Sequence, residues 1–530
     1  MNKLAFFSSN KLFFAGLLLL VLGMPVSLFL TSLSQFVLAI SFFTEGNFIE
    51  KFKKFFSNRP AVLLAAIWFM HVIGLLWTND LAEGFKDVRI KLPLLVLPVI
   101  IAGSRPLPHN QFRFILLSFV FAVFCGTVVS MGVLTGIVPR EINDIRDVFI
   151  FHISHIRFSL FTCLAIFILM HLTFFEKQEI KMQYKILAIL FATWFLIFLL
   201  IVESVTGIVV FSITGFMLLI YHAFTKANRR NRILMISTTI IIPLVAILFI
   251  RNFIRDFYIH HPVKIDVTEK TSMGNEYYFN LDNPLYENGY PVWVYVCEDE
   301  LRTAWNERST FKFDSLDHRN QELKFTLVRF LASKGLRKDA SGVRQLTEKE
   351  VGLIEQGVAN IAYSEMSNIR ARLTQIVWEF DQLIHGGNPS GHSVTQRMEF
   401  WKAGWQIAKT HLLTGVGTGD MPASYKMQYD FMDSPLDEAH RLRAHNQFLA
   451  ILVAFGLPGL LFFLLAFFYP MYAKNTHIGF LFGTFLIVAT LSMVTEDTLE
   501  TQAGATFIGL FYPLLLFGKE KPRDMLNENR

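Results

Sequence analysis

Apolar stretches recur along this chain and are interrupted once by a long polar interval, residues 251–444. The apolar windows lie at 12–43, 61–77, 92–102, 114–134, 151–172, 186–202, 206–221, 233–250, 447–472, 478–494 and 503–517. A helix perpendicular to a bilayer needs ~20 apolar residues to cross the hydrocarbon, so the shorter windows imply tilt or recruitment of flanking residues. The first window is too long for one span and carries Met24-Pro25 near its middle, where proline removes a helix hydrogen bond. It reads as two short helices, which brings the expected total to about twelve transmembrane helices in an all-α polytopic membrane protein, with the polar interval between helices 9 and 10.

Charge sets the orientation. Lys51, Lys53, Lys54 and Arg59, then Lys177, Lys181 and Lys185, then Lys226, Arg229, Arg230 and Arg232, and last Lys519, Lys521 and Arg523 all fall on one side of the twelve-span arrangement. By the positive-inside rule that side is cytoplasmic, and the opposite turns, such as Thr495-Glu496-Asp497-Thr498, are acidic or neutral. The polar interval is therefore expected to face outward and both termini inward. Residues 1–250 form a membrane domain, 251–444 a large outer loop carrying part of the active site, 445–518 the remaining membrane helices, and 519–530 a cytoplasmic tail. Lys3 and Lys11 before an apolar run resemble a secretory signal, but no clear small-residue cleavage site follows and a second span comes next, so the segment reads as a retained helix.

Composition agrees with this picture. Hydrophobic residues make up 53% of the chain and 55 residues are Phe, more than an ordinary soluble domain carries. The pI near 9.0 reflects anchoring charge beside a membrane and is no argument for a nucleic-acid partner. Cys125 and Cys163 lie in expected spans and only Cys297 lies in the loop, which excludes a disulfide within it.

Inside the loop, Val292-Trp293-Val294-Tyr295-Val296 alternates as a strand does, with turn residues at Asp282-Asn283-Pro284 and Asn288-Gly289, so a small β-rich insert is expected over 262–313. Thr347-Glu348-Lys349-Glu350 is a capping box, followed by apolar residues at helical spacing as far as Phe380. An unbroken helix there would approach ~55 Å at ~1.5 Å per residue, so it is expected to lie along the membrane surface or to bend near Gly352 or Gly357 and not to stand upright. Ser393-Val394-Thr395-Gln396 is a second box that places Arg397 at a helix start, with Phe400, Trp401 and Ile407 on its apolar face.

The chemistry-bearing candidates gather around this second part of the loop. His445 opens the span after the loop, with Asn446 beside it and Arg441 and Arg443 just before it. A histidine there suits a general base on a hydroxyl while arginines hold an anionic leaving group; the plain alternative is an interfacial histidine with a solvated tip. Arg397 sits among aromatic residues, where a guanidinium can bind phosphate by two donors, although most loop charges are simply solvated. Gly415-Val416-Gly417-Thr418-Gly419-Asp420 could cradle phosphate with its backbone N–H groups or be an ordinary tight turn. Arg157 lies inside an expected span, where a charge is costly and marks function. His152 and His155 have helical spacing for a metal, but no carboxylate or cysteine accompanies them in sequence, so no metal and no cofactor is expected. Glu203 and the acids Glu496, Asp497 and Glu500 read as solvated turn residues with a secondary claim to function.

The segments Gln396-Arg397-Met398-Glu399-Phe400-Trp401, Leu413 to Asp420, His445-Asn446-Gln447-Phe448-Leu449 and Gly456-Leu457-Pro458-Gly459 resemble the O-antigen ligase family of membrane glycosyltransferases. Residues 329–340, Arg-Phe-Leu-Ala-Ser-Lys-Gly-Leu-Arg-Lys-Asp-Ala, are similar to the loop of Bacteroidota members of that family. The resemblance implies a GT-C-like helical fold in the bacterial inner membrane. It implies transfer, without metal, of a glycan from an undecaprenyl-diphosphate-linked donor to a hydroxyl of lipid A core, glycan or protein at the periplasmic face. By the same resemblance His445 and Arg397 are the catalytic pair, and Arg157, Asp420, Arg441, Arg443 and Asn446 bind substrate. Ligases carry a further arginine in the outer turn where this chain reads Glu203-Ser204-Val205-Thr206-Gly207, and Arg157 is the expected substitute. Polymerase and protein O-oligosaccharyltransferase remain alternatives within the family. A lipid-linked sugar flippase is the alternative outside it, disfavoured because the polar candidates sit on one asymmetric loop rather than in repeated halves.

Overall fold

The computed structural model describes residues 3–140, 148–149, 153–176, 180–225, 228–258, 264–282, 285–362, 368–473 and 478–520. The chain divides into two compact units, one formed by 1–139, 148–218 and 396–530 and the other by 140–147 and 219–395. The division falls within the polar interval: residues 396–444 join the apolar helices and do not stay with the rest of the loop.

In the first unit the long opening window is two helices, α1 (Lys3–Gly23) and α2 (Leu28–Thr44), packed against each other. The break falls at Pro25, and Ser27 caps α2 by accepting the Leu30 N–H at 3.1 Å. A bend of 116° separates α2 from the amphipathic α3 (Phe48–Ser57). Then follow α4 (Arg59–Ile73), extended by a 3-10 turn to Trp77, α5 (Leu81–Ile90), α6 (Pro93–Gly103) and α7 (His109–Leu134). Next come α8 (His155–Met170), which a π-helical turn carries on to Phe175, α9 (Met182–Ile201) and α10 (Val205–Thr225), whose residues from 219 on belong to the second unit. Every apolar window of the sequence forms a helix, yet among the described residues seven helices are long and apolar enough to cross a membrane, or eight if the bent α2–α3 pair is one span. The eleven residues of α6, which hold Pro98, fall short of a full crossing.

The second unit holds α11 (Arg229–Phe257), whose apolar window has none of its residues buried within the protein, as expected of a helix clothed in lipid. A hairpin pairs β2 (Tyr286–Glu287) with β3 (Tyr290–Pro291) around Asn288 and Gly289, both at positive φ, and β1 (Tyr278–Phe279) pairs with β4 (Val294–Val296). The expected β insert is thus present but small; Asn283 and Pro284 lie outside the described residues. Helices α12 (Glu298–Arg308), α13 (Leu323–Ser333), α14 (Ala340–Arg344), α15 (Glu348–Glu355) and α16 (Asn368–Ile384) complete the unit. Its core centres on the fully buried Trp305, Leu327, Phe330 and Leu331. The Thr347 capping box is formed, and the helix it begins ends before Gly357, whose φ of +78° only glycine adopts readily.

Helix α17 (Thr395–Thr410) puts Arg397 in its first turn, and α18 (Met421–Phe431) follows the glycine turn. The last three helices, α19 (Gln447–Tyr472), α20 (Phe480–Thr495) and α21 (Gln502–Phe517), return to the apolar core. Gly456, at φ +66°, kinks α19 ahead of Pro458, and the freed Leu457 N–H donates to Leu412 O at 2.7 Å. The motif Gly456-Leu457-Pro458-Gly459 is therefore a docking point for the end of α17.

Candidate active site

The short connection from α20 to α21 organises the site. Glu496 leaves the end of α20, residues 498–500 form one 3-10 turn, and Thr501 caps α21 by accepting the Gly504 N–H at 3.3 Å. The turn is held inward by the Leu499 N–H, which donates to Gln447 Oε1 at 2.7 Å, and by Ser492 and Thr498 hydroxyls 2.9 Å apart. Glu496, Asp497 and Glu500 are only 5–6% exposed, which corrects their reading as solvated turn acids. Burying three carboxylates is costly unless each has a cationic partner, and here each does.

Arg397 Nη2 donates to Glu496 Oε1 at 2.9 Å. His445 places Nδ1 3.5 Å from Glu496 Oε2 and 3.7 Å from Asp497 Oδ1. Arg443 reaches Glu500 at 3.2 Å and Asp497 at 3.8 Å. Behind them Lys91, wholly buried, donates to Glu500 Oε2 at 2.8 Å and to Asp87, while Gln447 Nε2 meets the other Glu500 oxygen at 3.3 Å. Arg157 lies in the field of Glu496 and Asp497, and its Nε is buried with no hydrogen-bond partner. Burial pushes the Glu496 carboxyl up, but the nearby His445, Arg397 and Arg157 outweigh it and hold the group below the usual carboxylate range. For Asp497 burial prevails over Arg443 and His445, and its carboxyl stands above that range. Glu500 is pushed up by burial yet drawn well down by Lys91 and Arg443. The turn thus carries firmly ionised carboxylates at Glu496 and Glu500, each shared between two cationic neighbours.

His445 has a left-handed backbone, φ +45°, uncommon for a side-chain-bearing residue. Three contacts fix it there. Trp401 donates its indole N–H to the Ala444 carbonyl at 2.9 Å, the Phe400 ring lies 5.6 Å from the imidazole, and Asn446 caps α19 by accepting the Leu449 N–H at 3.0 Å. Asn446 also donates to Val494 O at 3.0 Å, tying the start of α19 to the end of α20. The aromatic residues that follow Arg397 in sequence therefore serve the histidine segment.

Other residues expected to bind substrate are committed to structure. The Asp420 carboxylate accepts the N–H groups of Asn79 and Asp80 at 2.8–3.0 Å and the Asn79 amide at 2.9 Å, pinning the turn before α5. The glycine turn is not a phosphate cradle, because Val416, Gly417, Thr418 and Gly419 give their N–H groups to Val453 O, Ala454 O, Gly74 O and Thr78 Oγ1. Its glycines permit close backbone approach instead: a Cβ on Gly415 would lie 2.2 Å from the Ala454 carbonyl carbon. Arg441 braces the segment after α18, bonding Asp430 at 2.5 Å and Leu436 O at 2.9 Å. His152 lies outside the described residues, so its pairing with His155 is not described.

His445, Glu496 and Asp497 bring one ligand atom each within 4.8 Å of one another, a donor set a divalent ion can use. The guanidiniums of Arg397 and Arg443 already face these carboxylates, so an added dication would enter against two fixed positive charges. Lys91 and Asp87 escaped the sequence reading, and Glu500 entered it only as a solvated turn acid with a secondary claim. The available signal was Asp87 and Lys91, spaced i, i+4 at the edge of an apolar window, and three acids in a turn too short to project them all into water.

The fold and this cluster define a multi-pass helical membrane protein whose cationic residues converge on one buried acidic turn. Residues 351–464 match the family model described as O-antigen ligase, and the matched segment contains Arg397, Arg443 and His445. No curated protein matches the chain.

Proposed function

We propose that this protein transfers a glycan from an undecaprenyl-diphosphate-linked donor to an acceptor hydroxyl at the periplasmic face of the inner membrane, without a metal. The observation that carries the reading is the convergence of Arg157, Arg397, Arg443 and His445, from three separate stretches of chain, on the turn 496–500. The arginines bind the donor diphosphate and stabilise the charge that grows on it as the bond to the sugar anomeric carbon breaks. His445 takes the acceptor proton as the hydroxyl oxygen forms the new glycosidic bond, and undecaprenyl diphosphate leaves.

Arg157, with its unpartnered buried Nε, supplies the cation that the 203–207 turn lacks. Transfer from purified undecaprenyl-diphosphate glycan in nanodiscs, with donor binding measured in parallel, tests the reading. His445→Gln is expected to bind donor but lose turnover by at least ~100-fold, and EDTA is expected to have no effect. Near-normal turnover by His445→Gln removes the general base, and abolition by EDTA returns the His445, Glu496 and Asp497 set to a metal role. Envelope-glycan gels of a deletion strain separate the acceptors: loss of capped lipid A core, of chain-length laddering, or of protein glycosylation.

A further inference from the structure

Glu496 divides its two oxygens between two functional side chains. Oε1 accepts from Arg397 at 2.9 Å, and Oε2 faces His445 Nδ1 at 3.5 Å. The Nδ1 atom is buried and makes no hydrogen bond, so the turn carboxylates are the acceptors within reach of a proton there. The neighbouring charged groups are Arg157 from α8, Arg397 from α17, Arg443 from the segment before α19, and Asp497 and Glu500 from the turn, with Lys91 behind Glu500. Asp497 is the more distant carboxylate from His445 and shares its charge with Arg443. His445 holds a left-handed backbone with its imidazole beside Glu496, and strained conformations of this kind persist where the surroundings hold them.

We propose that Glu496 is a positioning residue for the transfer reaction, holding the proton of His445 on Nδ1 so that Nε2 is the atom open to the acceptor hydroxyl. The inference rests on the general-base reading of His445. A carboxylate on one ring nitrogen fixes the tautomer and stabilises the imidazolium that forms when the other nitrogen takes a proton. In the resting geometry the gap of 3.5 Å is an ion-pair distance, and contacts of this type shorten when substrate arrives. Because the same carboxylate contacts Arg397, binding of an anionic donor by that arginine leaves Glu496 freer to close on the histidine.

The test is Glu496→Gln in the full-length protein in nanodiscs, with donor binding, turnover and the pH–rate profile all measured. The amide keeps an oxygen for Arg397 but offers N–H to His445, which favours the wrong tautomer. Turnover is expected to fall on the order of a hundred-fold or more, donor binding to change by no more than a few-fold, and the acidic limb of the profile to move to lower pH as the imidazolium loses its anionic partner. Unchanged turnover overturns the proposal, and so do parallel losses of binding and turnover with the limb unmoved, which confine Glu496 to Arg397. Should Glu496→Gln fail to accumulate, Glu496→Asp keeps the charge with a shorter reach and must lower turnover more than donor binding; equal losses overturn the proposal. His445→Gln separates the two readings. If that variant turns over normally the base assignment itself has failed, whereas an inactive His445→Gln beside a fully active Glu496→Gln defeats the positioning role alone.

Discussion

At the scale of single residues, the site is built from charges that would be unaffordable in isolation. Arg397 pairs with Glu496 through one nitrogen, and the rest of its fork is what the proposed donor phosphate would engage. Arg397→Lys keeps the charge but loses the planar fork, so transfer is expected to fall by at least ~10-fold while the protein still accumulates; wild-type transfer by the Lys variant would rule out two-point binding. Arg157→Ala is expected to be inactive, and Val205→Arg on that background to restore part of the transfer, read in the same nanodisc assay. Full activity of the single variant would reduce Arg157 to a structural residue. Neither arginine could be ranked from sequence, because a lone charge near a membrane looks the same whether or not a carboxylate waits beside it.

At the scale of elements, the glycine turn and the kinked α19 interlock. Gly415 sits at φ +68° with Ala454 and Phe455 backbone against its Cα, so Gly415→Ala is expected to reduce membrane accumulation sharply, measured by fluorescence-detected size exclusion. The Lys91 knot is a second constraint. With Lys91 fully buried between Asp87 and Glu500, Lys91→Ala leaves two buried carboxylates short of a cation and is expected to cost roughly 3–5 kcal/mol, visible as a lowered melting temperature in detergent. In the second unit Lys338 donates to Pro291 O and Val294 O at 2.8 and 2.9 Å, and burial, reinforced by Arg337, pushes its pKa down to about 7. The unfolded chain binds more protons there above that value, so stability is expected to rise with pH from about 7 toward the ordinary lysine range of ~10.4. Lys338→Met should flatten that rise in chemical unfolding; an unchanged slope would assign it to another group.

At the scale of the whole molecule, orientation rests on the basic short connections. Reporter fusions after Lys54, Arg230 and Lys519 are expected to read cytoplasm and one at Asn306 periplasm; a cytoplasmic signal at Asn306 would overturn the sidedness and the periplasmic chemistry with it. The division of the polar interval bears on the same question. Residues 396–444 carry Arg397 and Arg443 and pack with the apolar helices, while 219–395 forms its own core around Trp305. The part of the loop that carries Arg397 and Arg443 thus belongs to the same compact unit as α1–α9 and α19–α21.

The sequence by itself determined which stretches are helical, that Pro25 breaks the first of them and that Thr347 begins a helix, and it singled out Arg397, Arg157 and His445 as candidates. Those features are local: hydrophobic length, backbone sterics and the cost of a charge in an apolar setting can all be read one segment at a time. It left Gly415 to Asp420 open between a phosphate cradle and an ordinary tight turn, because a turn rich in N–H groups looks alike whether they face a ligand or a neighbouring helix. Only the tertiary structure decided that those groups bond α4, the turn before α5 and α19, and that Glu496, Asp497 and Glu500 turn inward. The reason is pairing at long range. A carboxylate's exposure depends on whether cations from distant segments reach it, and Lys91, Arg397 and Arg443 meet the turn 496–500 only once the helices that carry them have packed.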